Sequence, residues 1–167
     1  MPHQDSLVTH PLGALIKEIA SNEIAPGAGS AAAVGLALAA ACAGKAVAIS
    51  LKHREHDRVL SQAAQTLAAI AERALSGADE DAKHFRALVK AKDSQAAHRL
   101  IESGTHLQQV ADALRDVLDA IESSVVTQVS GDLRAARVLC DAFSEIQTSN
   151  LAENSAALDS SKSDQAR

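Results

Sequence analysis

Residues 23–54 read EIAPGAGSAAAVGLALAAACAGKAVAISLKHR, and their reading decides the fold. A proline and two glycines open the stretch, and no charge follows until Lys45. Eight of the thirteen residues in 31–43 are alanine, and the others are Val, Gly, Leu and Cys. Alanine favours helix and buries little area, so such a helix approaches its neighbours closely. A helix apolar all round is a buried central helix or a membrane span. The 21 uncharged residues of 24–44 are long enough to span. However, Gly and Ala add little to insertion, Pro26, Gly27 and Gly29 occupy one end, and the chain has no Trp or Tyr for an interfacial belt. The expectation is a buried helix with no membrane partner.

The rest of the chain fits that assignment. Its 167 residues suit one domain, and its only aromatic residues are Phe85 and Phe143. A net charge of −5 with scattered Lys and Arg argues against nucleic acid as a partner. Cys42 and Cys140 lie far apart with no CxxC spacing, which fits a reduced, cytoplasmic protein. The first ten residues lack the basic and apolar blocks of a signal peptide.

Apolar residues recur at helical spacing on both sides of the central stretch, with no strand signal. Leu12, Leu15, Ile16 and Ile19 follow Pro11 as a first helix ending near Ser21. Ser30 is the expected N-cap of the central helix, which runs to about His56; Asp57 caps the next. Leu60 to Leu75 and Ala78 to Val89 form the third pattern, bent or interrupted at Ser76-Gly77. A short helix to Ile101, a break at Ser103-Gly104, and a capping box at Thr105 and Gln108 follow. A further amphipathic helix reaches Val125, and the last runs from Ser130-Gly131 to about Asn154. The expected architecture is therefore all-α: a single-domain array of five to six mostly long helices around a buried Ala-rich central helix. Residues 1–10 read as a flexible arm, 11–154 as the helical domain, and 155–167 as a disordered tail.

Several groups could carry chemistry. Gly27 to Ala32 fits GxGxxA in letters, but a helix precedes it where a dinucleotide site needs a strand. Gly44-Lys45 lacks the remaining parts of a P-loop. What remains is a Gly-rich entrance to a helix N-terminus, which either binds an electron-rich group or simply lets two helices pack closely. In Asp79-Glu80-Asp81, followed by His84 and Phe85, the spacing puts Asp81, His84 and Phe85 on one helix face. By spacing alone this cluster is a solvated acidic turn. Lys45 either reaches the surface or meets a buried carboxylate. His53 and His56 have a metal-ligand spacing but no identified third ligand, and read as a solvated helix end. Asp132 suits a helix start, and Asn150 and Asn154 share a face at a helix end.

Together these blocks resemble a known family. Ala25-Pro26-Gly27-Ala28-Gly29-Ser30-Ala31-Ala32-Ala33 is similar to the PGGGS-AA opening of the central helix in the formimidoyltetrahydrofolate cyclodeaminase / methenyltetrahydrofolate cyclohydrolase family. Asp79 to Phe85 resembles its DEDA-x-x-F segment. Ser130-Gly131-Asp132 and Asn150-xxx-Asn154 resemble the two ends of its last long helix. The resemblance spans about residues 10–155. It implies an all-α homodimer acting on a tetrahydrofolate derivative, without a metal or further cofactor. The implied reaction is hydrolysis of 5,10-methenyltetrahydrofolate to 10-formyltetrahydrofolate, or closure of 5-formiminotetrahydrofolate with loss of ammonia. The candidate catalytic residues are Asp81, then Asp79, with Lys45 orienting Asp81. Pro26, Gly27, Ala28, Gly29, Ser30, Phe85, Asp132 and Asn150 are the expected substrate contacts. The chain departs from the pattern at Ala28, Gly131 and Lys45, which keeps two alternatives open: a catalytically silent folate binder, and a helical dimerisation or interaction protein.

Overall fold

The structure, a computed structural model, describes residues 11–91 and 94–165. The expected arm at 1–10 lies outside the described residues. Five α-helices follow in order: α1 (Leu12–Ile19), α2 (Ala28–Leu51), α3 (Arg58–Ala91), α4 (Ser94–Ile121) and α5 (Ser130–Gln165), with a 3-10 turn at Thr127–Val129 before α5. No strand occurs among the described residues, so the all-α expectation holds.

The last four helices form a bundle. α2 packs along α3 and α5, α4 closes the opposite side against the same two, and α2 touches α4 only lightly. Ala33, Leu36, Ala39, Ala40, Ala43, Ala46 and Val47 of α2 are completely or almost completely buried. Larger side chains from the neighbours fill in around them: Leu60 and Leu67 from α3, Leu114 and Leu118 from α4, Phe143 from α5. Small residues on the central helix and large ones around it give dense packing at short interaxial distance. By length and hydropathy α2 could cross a membrane, but half of that apolar window is buried against the chain's own bundle.

The Ser-Gly pairs are where the helix boundaries differ from expectation. α3 runs straight through Ser76-Gly77, and α4 runs through Ser103-Gly104. Both glycines are contact points. A Cβ on Gly77 would lie 2.8 Å from Leu107 Cγ, and one on Gly104 would lie 3.0 Å from Leu151 Cδ2. Glycine costs roughly 1 kcal/mol in a helix interior, and here the cost is offset by close approach of the next helix. Thr105 is accordingly no cap; its hydroxyl donates to the Ile101 carbonyl inside α4 (2.8 Å). At Ser130-Gly131, by contrast, a helix does begin.

Other boundaries also move. α2 starts at Ala28 with Gly27 in the cap position, so Ser30 lies inside the first turn and is not the N-cap. α2 ends at Leu51 instead of His56, in tight turns where Lys52, His53 and Arg54 donate to carbonyls three residues back. Asp57 does cap α3, with Oδ1 accepting from the Leu60 N–H (3.1 Å). α5 continues to Gln165 through most of the stretch read as a disordered tail. Nothing in 132–165 is a glycine or proline, and Leu158 is buried.

Candidate functional site

The entrance to α2 is fixed from outside the helix. Ala25 and Pro26 are buried and joined by a cis peptide bond. The Arg86 guanidinium of α3 donates to the Ala25 carbonyl at 2.7 Å. The loop is thereby pinned to α3 just before the chain turns into α2.

Asp81, also on α3, reaches the first turn of α2. Its Oδ2 accepts from the Ser30 hydroxyl at 2.8 Å, and the Ser30 backbone N–H donates to the same carboxylate. Gly29 makes room: a Cβ there would stand 2.6 Å from Asp81 Cγ and 2.8 Å from Oδ2. A carboxylate at a helix N-terminus meets unpaired N–H groups and the positive end of the dipole. The α2 N-terminus is therefore engaged by the chain's own carboxylate, whereas the sequence reading had left it open to a ligand.

Burial pushes the Asp81 carboxyl above its ordinary value, while the two Ser30 hydrogen bonds and the nearby His84 pull the other way. Burial is the largest of these effects. A raised carboxyl accepts a proton more readily than an ordinary one and can return it. His84 is itself oriented. Ser103 Oγ donates to the Leu100 carbonyl (3.1 Å), so in the 3.3 Å contact with His84 Nδ1 it is the imidazole that donates.

Beside this carboxylate lies a pocket of about 200 Å³. Ala25, Gly27, Ala28 and Gly29 form one side; Asp81 and Phe85 of α3 and Leu100 of α4 form another. The third side is α5, with Asn150, Glu153 and Asn154. The structure thus brings together Gly27, Ala28, Gly29, Asp81, Phe85 and Asn150 as expected. Pro26 and Ser30 are buried just behind the wall. Asp79, two residues from Asp81 on a helix, is half-buried and absent from the lining.

Lys45 and Asp132 do not belong to this site. Lys45 Nζ pairs with Asp132 Oδ1 at 3.1 Å, and its side chain is 63% exposed. Lys45 lies fifteen positions beyond Ser30 on the same helix, roughly 22 Å along its axis at 1.5 Å per residue. The expected roles of Lys45 in orienting Asp81 and of Asp132 in contacting the same substrate are corrected accordingly. Lys45 simply reaches the surface, as long cations at the edge of an apolar face do. The sequence reading missed Glu153 and Arg86. Glu153 stood between two asparagines already noted, on a shared face. Arg86 carries no local signal, because its partner is a carbonyl 61 positions away.

Among the described residues no group of three or more His, Cys, Asp or Glu could hold a metal ion.

The raised Asp81 carboxyl has a consequence for stability. Folding favours its protonated form, so its contribution is fully present below the unfolded pKa and is lost as pH rises through the folded one. Asp81→Asn stays neutral and can still accept from Ser30. Its melting temperature should exceed that of the unsubstituted protein at pH 7.5, with the gap closing as pH falls below about 4. Thermal unfolding followed by circular dichroism at both pH values checks this; an equal or lower melting temperature at pH 7.5 contradicts it.

Comparison with known proteins agrees with this geometry. No curated protein matches the chain significantly. A solved structure with the same fold is a formiminotetrahydrofolate cyclodeaminase from Thermotoga maritima. It is 16% identical, with a TM-score of 0.84 over 94% of this chain and 90% of that one. The formiminotransferase-cyclodeaminase family matches residues 11–103, more than half the sequence, including the Gly-rich entrance, α2 and the Asp81 helix. The chain belongs to the formiminotransferase-cyclodeaminase family.

Proposed function

We propose that this protein is a folate one-carbon enzyme that hydrolyses 5,10-methenyltetrahydrofolate to 10-formyltetrahydrofolate, with cyclodeamination of 5-formiminotetrahydrofolate as the sister reaction. The observation that carries this reading is the Asp81 carboxylate, half-buried and held by Ser30 at the wall of the Gly27-to-Gly29 pocket. The methenyl bridge is a delocalised N–C–N cation. Asp81 stabilises that charge and takes a proton from the water that attacks the bridge carbon. The resulting hydroxyl adduct opens by cleavage of the bond to N5. Asp81 returns its proton to N5, and the hydroxyl proton leaves to solvent as the formyl carbonyl forms. In the sister reaction N10 attacks the protonated formimino carbon and gives its proton to the Asp81 carboxylate, which passes it to the amino group that leaves as ammonia. The tetrahydrofolate derivative is the substrate, and neither route calls on a metal or added cofactor. Asp79 is a secondary candidate, one step removed from the pocket wall. A reduced cytoplasmic setting suits the two free thiols, Cys42 and Cys140.

Mixing the protein with 5,10-methenyltetrahydrofolate and following its near-UV absorbance tests the reading. Decay should be faster than in buffer, and Asp81→Asn should lower kcat by about 10²–10⁴-fold. Saturable folate binding without acceleration would leave a silent binder, and no binding would leave a helical interaction protein. Ammonia release from 5-formiminotetrahydrofolate separates the two reactions.

The working form in this reading is a homodimer. The outward face of α2 carries Ala31, Val34, Leu38, Ala41 and Cys42 at three- and four-residue spacing, with Leu38 53% exposed, and Lys45 ends the apolar run. On α5, which packs against α2, Val138 and Ile146 are also exposed, Val138 at 61%. Exposed apolar side chains on two adjacent helices support self-association. Light scattering should give a dimer for the unsubstituted chain and a folded monomer for Leu38→Glu. A monomer without the substitution contradicts the dimer.

A further inference from the structure

The proposed reaction gives no part to His84, which follows Asp81 by one helical turn on α3. At this spacing the two side chains rise from one face, with Cβ atoms about 5–6 Å apart. His84 is half-buried, and its ring is held from α4, where Nδ1 lies 3.3 Å from Ser103 Oγ. Ser103 is buried and gives its single proton to the Leu100 carbonyl at 3.1 Å. The hydroxyl therefore accepts from the ring, which fixes the neutral imidazole as the Nδ1–H tautomer and leaves Nε2 to gain or lose a proton. Protonation at Nε2 places a positive charge beside Asp81 without disturbing the Ser103 contact. Among the described residues Ser103 is the only hydrogen-bond partner of His84, so the ring acts on the carboxylate through space.

The other charged groups in this region are exposed or engaged. Glu80 and Lys83 on α3 are exposed, as are Arg99, Glu102 and His106, which flank Ser103 on α4. Asp79 is half-buried, two residues before Asp81. Arg86 Nη2 donates to the Ala25 carbonyl, and Glu153 on α5 is exposed, with one oxygen accepting from Ser149 Oγ. The first turn of α2 brings no charged side chain, only N–H groups, of which that of Ser30 already serves Asp81. Exposed charges are screened by water and salt, whereas a half-buried pair one turn apart is screened much less.

Burial works against the charged form of Asp81, and the His84 charge is one of the influences that restore it. Once a substrate is bound, its delocalised N–C–N cation favours the carboxylate in the same way. Resting on the folate reading above, we propose that His84 is a positioning residue: it keeps Asp81 ionised in the empty pocket and hands that part to the substrate's cation on binding. The Nε2 proton then leaves to solvent as the cation arrives. This exchange needs an imidazole, which can release its charge near neutral pH. An arginine in its place keeps its charge and repels the incoming cation.

Two substitutions in the full chain separate charge from structure. His84→Asn sets an amide N–H close to the place of Nδ1, so it can still donate to Ser103 but carries no charge. His84→Arg carries a permanent one. Carbon-13 titration of the Asp81 carboxyl in the ligand-free chain should give a higher midpoint in His84→Asn than in the unsubstituted chain, and no rise in His84→Arg. With 5,10-methenyltetrahydrofolate, the acid limb of kcat/KM reports the free enzyme. It should move to higher pH in His84→Asn, with a smaller move in kcat, where the substrate supplies the cation. His84→Arg should leave the limb in place and raise KM on the order of tenfold. An Asp81 midpoint unmoved or lowered in His84→Asn overturns the proposal, as does a rise of equal size in His84→Arg or an unchanged KM in that variant. Each variant can refute the proposal without the other, should one of them fail to fold. Failure of the folate reading looks different. A raised Asp81 midpoint in His84→Asn without turnover keeps the role of His84 and removes the enzyme, whereas turnover with an unmoved midpoint does the reverse.

Discussion

The contact on which the rest of the site depends is between the Asp81 carboxylate and the first turn of α2. It needs three things at once. Gly29 must lack a Cβ, because the carboxylate occupies the space one would fill. Ser30 must supply its hydroxyl and N–H. α3 must run unbroken past Gly77, so that Asp81 projects from a rigid helix. Together they give a carboxyl whose burial raises its proton affinity while its hydrogen bonds restrain the rise. That balance is what the proposed reaction asks of a single carboxyl, base first and acid second.

The bundle exists to deliver other groups to the same place. Because α2 is lined with alanine, α3 and α5 approach it closely on two sides. The helices on either side of α2 thus bring Asp81 and Phe85 from one direction and Asn150, Glu153 and Asn154 from the other. Arg86 adds the remaining constraint by tying the Ala25 carbonyl to α3, which fixes where α2 begins. Ser50 performs a similar task at the far end. Its hydroxyl donates to the Ala46 carbonyl and accepts from the Val126 N–H, anchoring the approach to α5.

Much of this was legible in the residues. Hydrophobic periodicity placed the long helices, and the alanine content of 31–43 identified the buried one. The family resemblance carried by the Gly-rich, acidic and asparagine-bearing blocks implied a common substrate site. The boundaries were less legible, because glycine has two physical meanings. At Gly77 and Gly104 it marks where another helix comes close, and at Gly131 it lies at a helix start; a sequence offers the same letter for both. Ser30 looked like a cap because capping serines precede apolar runs, yet its true partner is 51 positions away. Lys45 invited a catalytic role because a charge amid alanines is costly when buried. Its side chain is mostly exposed and paired with Asp132, so that cost never arises. Long-range partners of this kind leave no local trace, and the contact of Arg86 with the Ala25 carbonyl is another.

The site turns on Asp81 being a half-buried carboxyl restrained by Ser30. A carbon-13 titration of its carboxyl resonance, in the unsubstituted chain and in Ser30→Ala, addresses that directly. The midpoint should lie above the ordinary aspartate value of 3.8 in the first and move higher still when the Ser30 hydroxyl is removed. An ordinary or depressed midpoint, or one unmoved by Ser30→Ala, would contradict it.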